Sequence, residues 1–339
     1  MTMVTVVITT NNRPEYLREA LVSVQGQTAR QRIGQVIVSE NSLSDASAEV
    51  CRQFNDLPMS YLSQRPPVPP QLHLKGVWKH VQHPLVAFLH DDDWWTPEHL
   101  GAAVGVLDSQ PNCAAVFSNF YETNGPSFPA QVSSEKAWRI WVGAGCNFSE
   151  PVLTIHPVSA ALICLLDSNF HYSTAVGRAE AIWDAYLKIV ATGNSYDTDR
   201  LFGVFLSTHG TLSYVTRPDV FVRIHPGQDS MHQRNFDSGW AKKAETTRWL
   251  LRSEPEMIAR AIEQFNTSAR SLPPVLLRQL VRDIGEPQLR TLIQDCGLQL
   301  EMAPTLPPPP RNAKWLLKQI CPPVILALRR RLEEHLKHT

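Results

Sequence analysis

The chain has 339 residues, with 32 Lys and Arg balanced by 32 Asp and Glu, and is 43% hydrophobic and 19% charged. That composition supports a buried core, excludes wholesale disorder, and argues against a globally basic nucleic-acid binder. The length exceeds one ordinary domain of about 100–200 residues and fits one large or two medium ones. Six cysteines are scattered with no C-x-x-C spacing. Reduced thiols in a cytosolic protein are therefore expected, rather than a zinc site or a disulfide framework. The opening MTMVTVVITTNN has no basic leader and reads as a strand. No apolar run approaches the roughly 20 residues that span a bilayer, so the expected location is cytoplasmic.

Strand and helix signals alternate through the first hundred residues. Val4–Thr9 is a continuous β-branched run, as in a strand covered on both faces, and Pro14 then opens a helix carrying Leu17, Ala20, Leu21 and Val24. Ile33–Ser39 predicts a second strand, the segment up to Phe54 a helix, and Met59–Leu62 a third strand. Pro66–Pro70 is a stiff loop, Leu72–His80 a helix, and Leu85–Leu89 a fourth strand that stops at His90. Thr96-Pro97-Glu98 has the cap, N1 proline and early acid of a helix start. Further on, Ala114–Ser118 predicts a strand, 122–150 a loop-rich insertion, Leu153–Leu165 an apolar element, and Ala179–Val190 and Arg200–Thr208 helices. Thr211–Val215 and Val220–Ile224 predict two more strands. Beyond a boundary near 235 the pattern turns helical.

Alternation of this density implies an α/β fold with a doubly wound, mostly parallel sheet. Ligands of such sheets sit beyond the carboxyl ends of the strands. That rule selects Thr9–Arg13, Glu40–Asp45 and His90–Asp93, which should converge on one crevice. Asp91-Asp92-Asp93 could merely end a strand and cap a helix. Yet Thr96 already occupies a capping place, and three adjacent carboxylates suit a hard divalent cation, Mn²⁺ or Mg²⁺, bridging to phosphate.

The blocks VTVVITTNNRPEYLREAL, VIVSENSLSDAS, VAFLHDDDWWTPEHL, YDTDRLFGVFLSTHGTLSYV and VFVRIHPGQDS follow one another in this order. Together they resemble a family 2 glycosyltransferase with the GT-A fold, over roughly residues 3–230. The resemblance implies that Thr9, Thr10, Asn11, Arg13 and Asn41 meet the nucleotide sugar, with Glu40 at the base, Lys75 substituting for a nucleotide-contacting Arg, and Asp91 at the ribose or sharing the metal. It implies Asp92 as metal ligand with Asp93 and His225 beside it, and Arg223 neutralising phosphate. Trp94 and Trp95 adjoin this site as acceptor contacts, although one of the pair is expected in the core. Counting eleven residues back from the turn glycine Gly210 gives Asp199 as catalytic base, with Asp197 as runner-up; both could instead simply favour a helix N-terminus. His90 and Glu40 depart from the family pattern.

The implied function is inverting, metal-dependent hexosyl transfer from a nucleotide-diphosphate sugar, UDP- or dTDP-linked, to a saccharide or lipid-linked saccharide in polysaccharide biosynthesis. The alternative is a nucleotide-sugar-binding module with little or no turnover. A sugar-nucleotide pyrophosphorylase is disfavoured because TTNNRPEY lacks a Gly-rich loop. The expected organisation is a catalytic domain over 1–235, a helical region over 236–303, a Pro-rich linker over 304–310 and a tail over 311–339. That tail carries seven Lys and Arg against two Glu, interleaved with apolar residues. It reads either as a peripheral contact at the inner face of a membrane or as two short helices packed on the protein.

Overall fold

The computed structural model describes residues 1–132, 148–166, 170–193 and 198–227. Contacts divide the chain into Met1–Gln299 and Leu300–Thr339, and every described residue lies in the first unit. Asp197, the helical region, the linker and the tail lie outside the described residues.

The expected α/β architecture is present. β1 (Val4–Thr10), β2 (Ile33–Glu40), β3 (Met59–Ser63) and β4 (Leu85–His90) are joined by α1 (Pro14–Gln25), α2 (Ala46–Arg52) and α3 (Pro70–Trp78). After the two-residue β5 (Trp94–Trp95) come α4 (His99–Ser109), β6 (Cys113–Thr123), β7 (Gln131–Val132), β8 (Val152–Ile155) and α5 (Pro157–Leu166). The described chain closes with β9 (Val176–Arg178), α6 (Ala179–Ala191), α7 (Thr198–Ser207) and β10 (Thr211–Arg223). The sheet runs β3-β2-β1-β4-β9-β6-β10-β5, with β7 beside β6 and β8 beside β10. β3, β2, β1 and β4 are parallel, as are β6 and β10, while β9 is antiparallel to both β4 and β6.

The buried pattern of β1 and β4 explains their unbroken apolar runs: helices cover both faces, so alternation would place polar groups in the core. α1 begins with Pro at its first turn and buries Leu17, Ala20, Leu21 and Val24 at helical spacing. These side chains join Val6, Ile8, Val36, Val38 and Leu100 in one core cluster.

Several expectations need correction. Thr96 does not cap α4: the residue before the helix is Glu98, no side chain caps it, and the Thr96 hydroxyl donates to Asp219 at 3.4 Å. Thr211–Val215 and Val220–Ile224 are one strand, β10, irregular between Val215 and Val220 where Pro218 cannot donate to the ladder. β6 extends to Thr123, further than Ser118, and the insertion begins with β7. Of the cysteines, Cys51, Cys113 and Cys164 are reduced and buried.

Candidate active site

Parallel register is what assembles the site. Thr9 pairs with Ser39 on one side and His90 on the other, and Thr10 pairs with Glu40, so three strands end side by side. Beyond these ends the chain must turn. Asn12 adopts a left-handed conformation, φ 54°, which Asn tolerates better than most residues.

Glu40 holds that turn from below. Its carboxylate accepts the Asn12 N–H at 3.0 Å and the Ser47 hydroxyl, and its exposure is 0%. The expectation that Glu40 faces a base is therefore corrected, since both oxygens serve the protein's own donors. Asn41 is likewise a brace. Its amide donates to the Val68 carbonyl at 2.8 Å and its oxygen accepts the Val68 N–H at 2.9 Å, fixing the proline loop. Lys75 is exposed on α3, while the neighbouring His73 is buried and bonded to Ser39 at 2.7 Å, its basicity depressed by burial.

The acidic turn divides into two sets. Asp91 accepts the Thr10 hydroxyl at 2.7 Å and Arg13 Nη1 at 3.3 Å. It is buried against its own strands rather than open to a ribose, and burial with the adjacent Asp92 charge raises its pKa. Asp92 faces the opposite wall, 3.0 Å from Arg13 Nη1 and 3.1 Å from His225 Nε2. Burial opposes its ionisation, but His90, His225 and Arg13 outweigh that and hold its pKa below the usual carboxylate value. Arg13 completes a bridge by donating through Nη2 to the Gly227 carbonyl at 3.0 Å. Thr9 is partly exposed and Asn11 exposed on the same rim.

Asp93 turns away from Asp92 and His225, contrary to the expectation of one joint metal set. Only 2% exposed, it accepts the Arg223 N–H at 2.9 Å and the Ser173 hydroxyl at 2.5 Å. Its oxygen lies 3.7 Å from His90 Nδ1 and 3.9 Å from His171 Nδ1. Burial and the Asp92 charge push its pKa up to about 7.

Arg223 is a clamp rather than a free phosphate ligand. Its guanidinium pairs with Glu19, donates to the Asp92 carbonyl at 2.9 Å, and lies between the rings of Tyr16 and Trp94 at 4.5 and 4.8 Å. Trp95 is 3% exposed and donates to the Ser173 carbonyl at 2.7 Å, so of the two tryptophans it is the core member and its acceptor role is withdrawn. Trp94 stays partly exposed, stacked on Phe221.

Asp199 sits in the first turn of α7. Burial works to lower the His90 pKa, but the charges of Asp93, Asp92, Asp199 and Asp91 together outweigh it and raise that pKa, while burial first and the Asp199 charge second raise that of Tyr172. The charge of Asp199 thus reaches His90, at the start of the acidic turn. His171 and Ser173 complete the floor of the turn, and no sequence pattern singles them out. They belong to a short HYST segment between apolar elements, which carries no periodicity and no motif; the one available signal is a histidine adjoining polar hydroxyls.

Asp92 and His225 offer one oxygen and one nitrogen that could serve a divalent cation, in competition with the Arg13 guanidinium that pairs with Asp92.

The family model described as Glycosyl transferase family 2 matches residues 5–160. None of the curated proteins matches the chain. Among solved structures, the crystal structure of S. aureus TarS 1-349 in complex with UDP-GlcNAc is similar with a TM-score of 0.54 and 15% identity, covering 86% of this chain and 81% of that one. The crystal structure of S. aureus TarS gives a TM-score of 0.51 and 14% identity, with 87% of this chain and 54% of that one covered. Identities this low speak for the fold alone: the architecture is that of the GT-A fold, and residues 5–160 within it match the glycosyl transferase family 2 model.

Proposed function

We propose that the protein transfers a sugar from a nucleotide-diphosphate donor to a hydroxyl of a saccharide or lipid-linked saccharide, with inversion. The observation that carries this reading is the pairing of Asp92 with His225, a set that would hold a cation, together with a separate carboxylate, Asp199, whose charge reaches His90 beside them. Breaking the bond to the diphosphate leaves negative charge on oxygen, and Mn²⁺ or Mg²⁺ held by Asp92 and His225 would stabilise it as a Lewis acid. Arg13, on the rim beside them, would meet phosphate oxygens. Asp199 would accept the acceptor proton as the hydroxyl attacks. One base opposite the leaving group supports single displacement rather than the paired carboxylates of glycoside hydrolysis. Trp94 offers a ring face to a sugar.

A UDP- or dTDP-sugar is the first donor to test, UDP-GlcNAc being bound in the TarS crystal structure. Metal-dependent thermal stabilisation by UDP-, dTDP- and GDP-sugars would rank the donors. The Asp199→Asn variant should keep donor affinity and lose about a hundredfold or more in turnover. Near-normal transfer by that variant would refute the assignment. A binding module without turnover would show donor binding yet no chelator-sensitive transfer or hydrolysis.

A further inference from the structure

We propose that His90, Asp93 and His171 form a binding site for a divalent transition metal, separate from the Asp92–His225 pair. Their ligand atoms all lie within 4.8 Å of one another. An ion with bonds of about 2.0–2.1 Å sets tetrahedral ligands roughly 3.4 Å apart. The Asp93 oxygen is 3.7 Å from His90 Nδ1 and 3.9 Å from His171 Nδ1, so modest ring movement brings these contacts to coordination distance, with His171 giving up the Ser173 N–H that its Nδ1 now accepts.

The surroundings are those of a built site. The Ser173 hydroxyl and the Arg223 N–H fix the Asp93 carboxylate in one orientation. A carboxylate has about four lone-pair positions, so two such bonds leave room for a metal, as outer donors do around ligating carboxylates. The His171 ring packs against His90 and Phe120 at 5.4 and 5.6 Å, and Tyr172 lies 6.1 Å from His90, giving an aromatic wall that limits water. His90 is 42% and His171 21% exposed at the side chain, which leaves an entry path. Two imidazoles and one carboxylate favour nitrogen-preferring ions such as Zn²⁺, Co²⁺ or Ni²⁺ over Mg²⁺. The occupant is thus a different class of ion from the hard cation proposed at the donor site, and its binding does not depend on that reading.

The test is Co²⁺ titration of the full chain after chelator treatment, read by visible absorption and by equilibrium dialysis. Wild type should give a nitrogen-ligand Co²⁺ spectrum, and His225→Ala should keep it. His90→Ala and His171→Ala should each lose the bands and at least tenfold in affinity. His171 also accepts the Ser173 N–H, so its variant is checked for folding by circular dichroism; the part-exposed His90 serves as the variant that leaves the fold intact. Wild-type affinity and spectrum in His90→Ala, or no Co²⁺ bands in wild type, would overturn the site. Loss of the bands in His225→Ala alone would move the ion to the other pair and overturn it equally.

Discussion

At the scale of single residues, Asp92 and Ser173 show how differently two neighbouring polar groups act. Asp92 meets Arg13 and His225 across the crevice, and its substitution by Ala should weaken Mn²⁺-dependent nucleotide binding by tenfold or more in calorimetry, with little change in melting temperature. Ser173 does the reverse. Its fully buried hydroxyl accepts the His90 N–H at 3.0 Å and donates to Asp93. Ser173→Ala should therefore cost about 1–3 kcal/mol in denaturant unfolding by leaving buried partners unsatisfied. Asp91–Asp93 are legible as a unit, because three mutually repelling acids directly after an apolar strand call for a positive partner. Their division is not legible, since Asp92 and Asp93 differ only in which wall they face. Glu40 misleads for a related reason: its position in the chain resembles a base contact, while burial and Ser47 turn it inward.

At the scale of elements, unbroken apolar runs make β1, β2 and β4 readable, and Pro14 with its helical spacing does the same for α1. β10 reads as two strands because Thr216-Arg217-Pro218 looks like a turn. Pairing with β6 along both halves carries the strand through that irregularity. Gly210 turns the chain from α7 into β10 with φ +153°, and a Cβ there would lie 2.1 Å from the Asn112 carbonyl oxygen. Gly210→Ala should cost about 1–3 kcal/mol and lower turnover if Asp199 is displaced with α7. α4 supplies a pH prediction. His99 in its first turn is 1% exposed, its Nε2 has no hydrogen-bond partner, and burial, with help from Arg217, pushes its pKa down from 6.5 to about 3. The unfolded chain therefore takes up this proton first. Stability contributed by the neutral ring is present above about pH 6.5 and is lost as pH falls toward 3. His99→Phe should flatten melting temperature against pH across that window, and an unchanged slope would remove the cause.

At the scale of the whole molecule, parallel strands in register bring residues as distant as Thr10, Asp91 and His225 together, which is why strand-end reasoning groups them without coordinates. What it cannot supply is the antiparallel β9 between β4 and β6. That three-residue strand has too little sequence to signal itself, yet the short turn that leads into it places His171 and Ser173 beside Asp93. No helix among the described residues is long and apolar enough to cross a membrane. The basic tail after 310 is tested by co-sedimentation with anionic liposomes. Loss of binding on truncation at Pro310 would support a surface contact, and equal binding would assign the tail to the protein itself.

Arg13 bears on the order in which the proposed donor and cation would arrive. Its guanidinium ties Asp91, Asp92 and the Gly227 carbonyl together, so a cation coming alone must evict a like charge that has nowhere better to go. On the proposed function, a donor arriving with its ion would offer the displaced arginine two phosphates. Initial-rate measurements varying both should then show ordered rather than random addition, and Arg13→Gln should take up Mn²⁺ without nucleotide while losing donor affinity.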